Sequence, residues 1–331
     1  MPGTLTTASS VELAVIERSG FVESRHAGAA VVIAPGGEVV ASFGDTTAPV
    51  LARSSLKPLQ ALASLQAGAQ LSGASLGLAT ASHSGTDRHV ETVREILAAV
   101  ELTADALQCP ASLATDPDTR AVMIRENLAP AAIRMNCSGK HAAMLNACVH
   151  AGWDTAGYLD VQHPLQIQIR ELVERLTGQR VAATAIDGCG APVFAVSLDG
   201  LARAVQRIGT ASESSPFPLH RNAGALARAV REHPWTIAGP GQPDTLVVEN
   251  FGVFSKYGAE GVMVMCAPDG TTVAAKTLDG STRVGHIVGI DLLERFGALP
   301  TGSVERATAL LPLALHGGGA VVGEIRPTVG R

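Results

Sequence analysis

Aromatic residues and clusters of like charge are both scarce in this sequence of 331 residues. It has seven Phe, two Trp and two Tyr, which leaves few side chains on which nucleic-acid bases or sugars could stack. The 25 Lys and Arg are set against 30 Asp and Glu, and no block of like charge provides a footprint for nucleic acid or an anionic membrane. Long apolar runs and a signal-peptide pattern are also missing. We therefore expect a cytoplasmic protein with no nucleic-acid and no membrane partner.

Cysteine is too scattered for a disulfide framework. The five residues are odd in number and spread along the chain, and no Cys-x-x-Cys pair of a structural zinc module occurs. Hydrophobic residues make up 46% of the chain, which is enough for a large core filled by aliphatic side chains and alanine. The composition thus predicts a folded globular protein of a reducing compartment, with one large domain or two.

Hydrophobic periodicity predicts strands at both ends of the chain and helices between them. Helical spacing marks Pro58–Leu71, Arg88–Leu102, Thr119–Leu128, His141–Gly152, Pro164–Leu176, Val193–Ile208, Leu219–His233 and His286–Phe296. Strand-like runs mark Glu12–Glu17, Gly28–Ala34, Glu38–Phe43, Val181–Ile186, Gly261–Cys266 and Thr271–Lys276. This order indicates an α+β fold with an antiparallel sheet built from both chain ends and packed against a helical region, and it disfavours a doubly wound parallel sheet. The C-terminal residues are typical of an edge strand or a loose tail.

Ser54 and Lys57 form a Ser-x-x-Lys pair at a predicted helix start, which Pro58 fixes close by. Residues three apart lie on one helix face, so the Lys57 amine can take the proton that makes the Ser54 hydroxyl a nucleophile. A capping serine beside a solvated lysine has the same spacing. The motif on its own leaves both interpretations open.

Two other segments add a hydroxyl, an imidazole and a second amine. Ser82 and His83 follow the apolar stretch Leu76–Ala79, a position typical of catalytic groups and equally of a polar loop that caps the next helix. Lys256 stands two residues before a glycine and close to a predicted strand. That element is similar to the Lys-Thr-Gly that accompanies Ser-x-x-Lys in serine β-lactamases and penicillin-binding proteins, in the same chain order.

Two thiols stand in turns rich in small residues. Cys137 lies in Asn136-Cys137-Ser138-Gly139-Lys140-His141, before a predicted helix, and Cys189 lies in Asp187-Gly188-Cys189-Gly190, after a predicted strand. With Lys140, His141 or Asp187 these thiols could form a metal site. Two buried, unreactive cysteines are the alternative.

Together and in chain order, these segments resemble the L-asparaginase II family, also called the rhizobial or thermolabile type. The matching segments are Glu12–Ser24, Gly44-Asp45, Arg53–Pro58, Ala81–Gly85, Leu107–Cys109, Asn136–His141, Gly157–Asp160, His163-Pro164, Asp187–Gly190, Asp244-Thr245 and Lys256–Gly261. The resemblance runs from about residue 11 to residue 297, and residues 298–331 stay unassigned within a single domain over residues 1–331.

The resemblance implies a fold similar to serine β-lactamases and glutaminases, a homodimer, and hydrolysis of L-asparagine to L-aspartate and ammonia. By matching motif, Ser54 would be the nucleophile with Lys57 as its base, and Ser82 with Lys256 would be a second Ser–Lys pair. A zinc ion (Zn²⁺) would be held by Cys137, Lys140 and Cys189, with Asp187 near it through solvent. We expect this ion to support substrate binding rather than to be strictly required.

The candidate substrate-binding residues are Arg53, His83, His141 and Asp187. The two-donor fork of Arg53 suits the α-carboxylate of an amino acid, and His141 can add a hydrogen bond. Tyr257 stands where the family usually has a smaller residue, so we expect the shape of the pocket to differ. The alternatives are a related amidase or glutaminase, a β-lactamase-like acylase, and a catalytically silent amino-acid-binding paralogue.

Overall fold

Strands from both ends of the chain form one antiparallel sheet in the computed structural model, which describes residues 3–331. The strands are β1 (Val11–Arg18), β2 (Phe21–Ile33), β3 (Val39–Phe43), β4 (Val50–Leu51), β5 (Ala183–Ile186), β6 (Pro192–Val196), β7 (Phe254–Gly258), β8 (Val262–Cys266), β9 (Thr272–Thr277), β10 (Ala314–Gly317) and β11 (Ala320–Pro327). The large sheet has the order β10-β11-β1-β2-β9-β8-β7, with β3 paired to β2, and β4-β6-β5 form a small separate sheet. The pairing of β2 with β9 joins the two ends of the chain, which confirms the predicted α+β arrangement.

Helices cover both faces of the large sheet. They are α1 (Lys57–Gln66), α2 (Gly73–Ala79), α3 (Asp87–Ala98), α4 (Pro117–Arg125), α5 (Ser138–Ala151), α6 (Pro164–Thr177), α7 (Leu198–Gly209), α8 (Pro218–Glu232), α9 (Pro243–Phe251), α10 (Gly285–Arg295) and α11 (Ser303–Leu310). Side chains alternate along β2, so that Val31 joins the core on the side of α1 and α7 while Val32 joins the core beneath α10 and α11. The sheet is therefore buried on both faces.

The predicted helix Val193–Ile208 is wrong in its first part. Residues Pro192–Val196 form β6, and α7 begins only at Leu198. Ser197 caps this helix, because its side chain accepts a hydrogen bond from the backbone N–H of Gly200. β6 pairs with both β4 and β5, and its valines and phenylalanine suit a strand. Strand pairing therefore overrides the helical spacing of the apolar residues at this point.

The C-terminal residues belong to the large sheet. β11 pairs with β1 on one side and with β10 on the other, so the strand interpretation is confirmed and the loose tail is wrong. Within residues 3–331 no helix is long and apolar enough to cross a membrane. The five cysteines are all buried free thiols.

Candidate active site

The Ser82 hydroxyl lies between two buried lysine amines. Its Oγ is 2.9 Å from Lys57 Nζ and 3.0 Å from Lys256 Nζ. Lys57 is 1% exposed and Lys256 is fully buried, so both amines face the protein interior. Three residues that the sequence placed in different motifs thus meet at one oxygen atom.

The backbone before α1 brings Lys57 to this position. Arg53–Leu56 form a turn of 3-10 helix, and Lys57 is the first residue of α1, with Pro58 in the first turn. The helix therefore begins at Lys57 and not at Ser54. The ammonium of Lys57 also donates to the carbonyl oxygen of Ala81, the residue before Ser82, which fixes the amine against this loop.

Lys256 projects from the edge strand β7 and has a carboxylate beside it. Its Nζ is 3.7 Å from Asp244 Oδ2, donates to the carbonyl oxygen of Tyr257 and lies 4.4 Å from the centre of the Tyr257 ring. Burial lowers the pKa of Lys256 to about 7, with the ammonium of Lys57 acting in the same direction and Asp244 in the opposite one. Near neutral pH a large fraction of Lys256 is therefore unprotonated and can accept a proton.

Asp244 is the fully buried anchor of this side of the site. Its Oδ1 accepts from Ser255 Oγ at 2.7 Å and lies 2.9 Å from His286 Nε2, while its Oδ2 accepts from the backbone N–H of Tyr257 at 3.0 Å. Burial alone would raise the pKa of Asp244, but the hydrogen bond from His286 and the charge of Lys256 together lower it. The carboxylate is thus charged and its oxygens are both occupied.

Ser54 is near the site but its hydroxyl is not held by Lys57. Among residues 3–331 no hydrogen bond to Ser54 Oγ is found, and the amine of Lys57 is directed at Ser82 instead. Close packing brings β7 against the turn that carries Ser54. A Cβ on Gly258 would lie 2.7 Å from the Ala52 carbonyl oxygen and 3.3 Å from the Ser54 nitrogen, so this strand position requires glycine.

Arg53 and Asp187, both predicted to bind substrate, form an ion pair with each other. Asp187 Oδ1 accepts from Arg53 Nε at 2.9 Å and from a terminal guanidinium nitrogen at 2.8 Å. Their side chains are 22% and 14% exposed. Arg53 has a φ of 50°, a left-handed conformation that a residue with a side chain rarely adopts. The backbone is therefore strained where it presents the guanidinium.

The two predicted substrate-binding histidines are buried in hydrogen-bond networks. His83 accepts from the backbone N–H of Gly85 through Nδ1, and its Nε2 lies 2.9 Å from Ser138 Oγ. Burial lowers the pKa of His83 well below its usual range. His141 Nδ1 lies 2.7 Å from the hydroxyl of Tyr158, and burial lowers the pKa of His141 to about 4. Both imidazoles are therefore neutral near pH 7.

Cys137, Lys140 and Cys189 come together as the sequence predicts. Lys140 Nζ is 3.0 Å from Cys189 Sγ, and Cys137 lies at the start of α5, which also carries Lys140. The interaction between the two thiols lowers the pKa of Cys189 and raises the pKa of Cys137, and the nearby Lys140 also lowers the pKa of Cys189. Within residues 3–331 no three His, Cys, Asp or Glu side chains are grouped to hold a metal, so a metal at this place needs the lysine.

A cavity of about 410 Å³ opens on the other side of Ser82. It is lined by Ser82, Ser84, Thr115, Asn136, Ala238, Gln242, Pro243, Asp244, Tyr257, Thr282, Arg283, His286, Leu311, Pro312 and Leu313. Of the four residues in the two predicted Ser–Lys pairs, Ser82 is the one that lines this cavity. Sequence reasoning assigned no functional role to Asp244, Ser255 or His286. The one signal for any of them was that Asp244-Thr245 is among the segments that resemble the family.

Comparison with known proteins identifies one family. The model of the family described as L-asparaginase II matches residues 14–327, which reaches past residue 297 into the C-terminal strands. No curated protein matches the chain.

Three solved structures are similar at low identity. The native form of Mglu is 15% identical, with 81% of this chain and 64% of that chain covered and a TM-score of 0.45. A β-lactamase from Mycobacterium bovis is 16% identical over 81% of this chain and 94% of that chain, with a TM-score of 0.43. A Bacillus glutaminase is 12% identical over 82% and 92%, with a TM-score of 0.44. The chain thus spans about 64% of the length of Mglu.

Proposed function

This chain belongs to the L-asparaginase II family, and we propose on that premise that it is a serine–lysine amidohydrolase that converts L-asparagine to L-aspartate and ammonia. The observation that carries the proposal is the Ser82 hydroxyl, held within 3.0 Å of two buried amines at the floor of a cavity. Amide hydrolysis by a serine needs a base for the hydroxyl proton and a positive group near the oxygen. Lys256, whose pKa burial lowers, is positioned to be the base, and Lys57 is positioned to be the positive group.

In the first step, unprotonated Lys256 takes the proton of the Ser82 hydroxyl while the Ser82 oxygen bonds to the carboxamide carbon. The carbonyl electron pair moves onto its oxygen, and the ammonium of Lys57 stabilises negative charge at the reacting oxygen of Ser82. The tetrahedral intermediate then collapses, its C–N bond breaks, and Lys256 returns the proton to the leaving nitrogen. Ammonia leaves and an ester of Ser82 remains.

In the second step, water replaces ammonia. Lys256, again unprotonated, takes a proton from a water molecule whose oxygen attacks the ester carbon. When the ester bond breaks, Lys256 returns that proton to Ser82 Oγ, and the carboxylic acid product ionises. The same amine thus serves both half-reactions, and Asp244 and His286 hold it in place.

Arg53 and Asp187 fit the two charges of a free amino acid. A guanidinium can pair with the α-carboxylate and a carboxylate with the α-ammonium, and in the absence of substrate the two side chains neutralise each other. Ser54 follows Arg53 directly and remains the nucleophile that the family resemblance predicts. The geometry favours Ser82, and replacing each serine separately decides between them.

The Cys137, Lys140 and Cys189 side chains fit the zinc ion that the resemblance implies. Thiolate and nitrogen donors are ligands that zinc prefers, and the lowered pKa of Cys189 favours its thiolate form. Burial lowers the pKa of Lys140, but Cys189 and Cys137 raise it by more, so the pKa is raised overall. Metal binding would therefore have to release the proton of Lys140. Bound zinc would act as a Lewis acid and would fix the turn that carries Asp187 and Cys189. We also propose that the protein acts as a cytoplasmic homodimer.

The test is release of ammonia by the purified chain from L-asparagine and from L-glutamine. Release from L-asparagine, lost in Ser82→Ala and retained in the exposed control Ser212→Ala, is the expected result. Ammonia from L-glutamine and none from L-asparagine would make the protein a glutaminase. Turnover of a chromogenic β-lactam, with no ammonia from either amino acid, would make it a β-lactamase-like acylase. Binding of L-asparagine with no turnover of any amide would make the chain a silent amino-acid-binding protein.

A further inference from the structure

We propose that the cavity over Ser82 binds amino-acid carboxamides whose α-amine is acylated, by an acyl group or by the preceding residue of a peptide, and whose α-carboxylate is free. The inference rests on the proposed amidohydrolase function, because it places the amide of these substrates at Ser82. It extends that function to a class of substrate that differs from free L-asparagine in charge and in size.

Arg283 supplies the positive charge that such a carboxylate needs. It lies at the exposed rim of the cavity, between Thr282 and the start of α10. In the part of the chain from residue 3 to residue 331 its guanidinium forms no ion pair, whereas Arg53 and Arg134 are both paired with aspartates. A planar guanidinium with free donors is suited to two parallel hydrogen bonds to a carboxylate.

The same cavity offers, among the lining residues that the structure describes, no free carboxylate to pair with an α-ammonium. Among its lining residues in the described chain, Asp244 is the one carboxylate, and it is fully buried and already bonded to Ser255, Tyr257 and His286. An ammonium entering the cavity would exchange its water for neutral hydrogen-bond acceptors and would gain no opposite charge, which leaves the burial of its own charge uncompensated. An amine that is acylated carries no charge and avoids this cost.

The remaining wall suits an acyl group. Leu311, Pro312 and Leu313, between α11 and β10, form an apolar side of the cavity, and Ala238 and Pro243 extend it. The volume of about 410 Å³ corresponds to roughly a dozen water molecules, which is more than a free amino acid requires. The Ser84 Oγ also lines the cavity and is buried without a hydrogen-bond partner in the described residues. That hydroxyl is available to the amide of an acylated amine.

The charged side chains around Ser82 therefore suit two different kinds of substrate, one with a charged α-amine and one with an acylated α-amine. Arg53 and Asp187 offer both signs of charge and do not line the cavity, so they suit a free amino acid. The cavity offers one cation, an apolar wall and an unpaired hydroxyl, so it suits an acylated amino acid. Discrimination depends on whether the α-amine is charged.

The binding test uses N-acetyl-L-aspartate, which has the acyl group and the α-carboxylate but a side-chain carboxylate in place of the carboxamide, so it cannot release ammonia from its side chain. Isothermal titration calorimetry with the intact chain should detect binding, and Arg283→Gln should weaken it about tenfold or more. Arg120→Gln, an exposed arginine on α4 with no ion pair in the described residues, is the matched control and should bind like the parent chain. Thermal unfolding checks that both variants fold. No binding to the parent chain, or equal binding by Arg283→Gln, overturns the inference.

The kinetic test compares N-acetyl-L-asparagine with L-asparagine by ammonia release. The ratio of their kcat/KM values should fall about tenfold in Arg283→Gln and stay constant in Arg120→Gln. Ammonia from L-asparagine but none from the acetylated substrate overturns the inference and leaves the proposed function intact. If no amide releases ammonia while N-acetyl-L-aspartate binding still depends on Arg283, the proposed function is overturned and the binding site is supported.

Discussion

Ser82 is distinguished from Ser54 by its contacts with the two lysines. We expect Ser82→Ala to lower kcat by roughly 10³-fold or more, because the hydroxyl that both amines contact is removed. Lys57→Ala should have an effect of the same order. Steady-state ammonia release measures both, with thermal unfolding to confirm the fold. If Ser54→Ala abolishes turnover and Ser82→Ala does not, Ser54 is the nucleophile.

The protonation of Lys256 sets the acid side of the pH profile. With a pKa of about 7, the unprotonated base is present above that pH and is lost as the pH falls, so kcat/KM should decline below about pH 7. The groups that face Lys256 are Asp244, Lys57 and Cys137, with Tyr257, whose pKa burial raises to about 12. Among these, Asp244 and, less strongly, Cys137 raise the pKa of Lys256, while Lys57 lowers it.

Asp244→Asn should therefore move the acid limb to lower pH, whatever it does to the maximal rate. A purely structural role for Asp244 would lower the rate at every pH without moving the limb. The measurement is kcat/KM for L-asparagine from pH 5 to pH 9, with active protein quantified at each pH.

Arg53 is expected to recognise the α-carboxylate of L-asparagine. Arg53→Lys keeps the charge but loses the planar fork that now grips Asp187 through two nitrogens, so KM should rise severalfold with a smaller change in kcat. An asparagine analogue without the α-carboxylate should be much less affected. Equal losses for both substrates would show that Arg53 only supports the fold of this turn.

At the scale of elements, β7 packs so closely against the 3-10 turn before α1 that only glycine fits at position 258 of the strand. Gly258→Ala would bring a Cβ to 2.7 Å from the Ala52 carbonyl oxygen and force the strand away from the turn. We expect a loss of about 1–3 kcal/mol in the free energy of unfolding, and a larger relative loss of activity because Lys256 moves with β7. Chemical denaturation and ammonia release measure the two effects.

Gly36→Ala is the matched control for this substitution. Gly36 lies in the exposed turn between β2 and β3, where a Cβ would meet the flexible carboxylate of Glu38. Both stability and activity should stay close to those of the parent chain. A Gly258→Ala protein with unchanged kcat would mean that the register of β7 does not determine the position of Lys256.

Local patterns in the sequence predicted most elements but not all their neighbours. The spacing of apolar residues identified α5, α6 and α8. It assigned β6 to a helix because apolar residues recur at helical spacing there as well, while the pairing of β6 with β4, a strand from a distant segment, leaves no local signal. The Ser–Lys motifs identified Lys57, Ser82 and Lys256. The sequence paired Lys57 with Ser54, whereas in the structure Lys57 contacts Ser82. The direction of the Lys57 side chain depends on how α1 packs against the Ser82 loop, which local sequence does not reveal.

Asp244 and His286 could not be assigned by spacing. They lie on α9 and α10, which are separated by three strands, and neither residue belongs to a motif whose chemistry is evident from local sequence. Their contact follows from the way both helices pack near β7. The apolar wall at Leu311–Leu313 was equally hidden, because that segment gains its position from β10 and β11.

At the scale of the whole molecule, the proposed zinc site joins α5 to the loop after β5. We expect about one equivalent of zinc per chain by elemental analysis, and a large loss in Cys137→Ala and Cys189→Ala, since each removes a thiol donor. KM for L-asparagine should rise while part of kcat remains. Cys148→Ala, a buried thiol elsewhere on α5, is the control and should keep its zinc. Zinc far below one equivalent, not restored by added zinc, would leave Cys137 and Cys189 as buried thiols.

The sheet that joins both ends of the chain has a consequence for synthesis on the ribosome. β2 lacks its β9 partner, and β1 lacks its β11 partner, until those distant segments have emerged. Contacts between residues so far apart in sequence form slowly, and the apolar faces of the first strands stay exposed meanwhile. The native sheet therefore closes only after β11 has emerged, and until then the apolar faces of β1 and β2 need protection from aggregation.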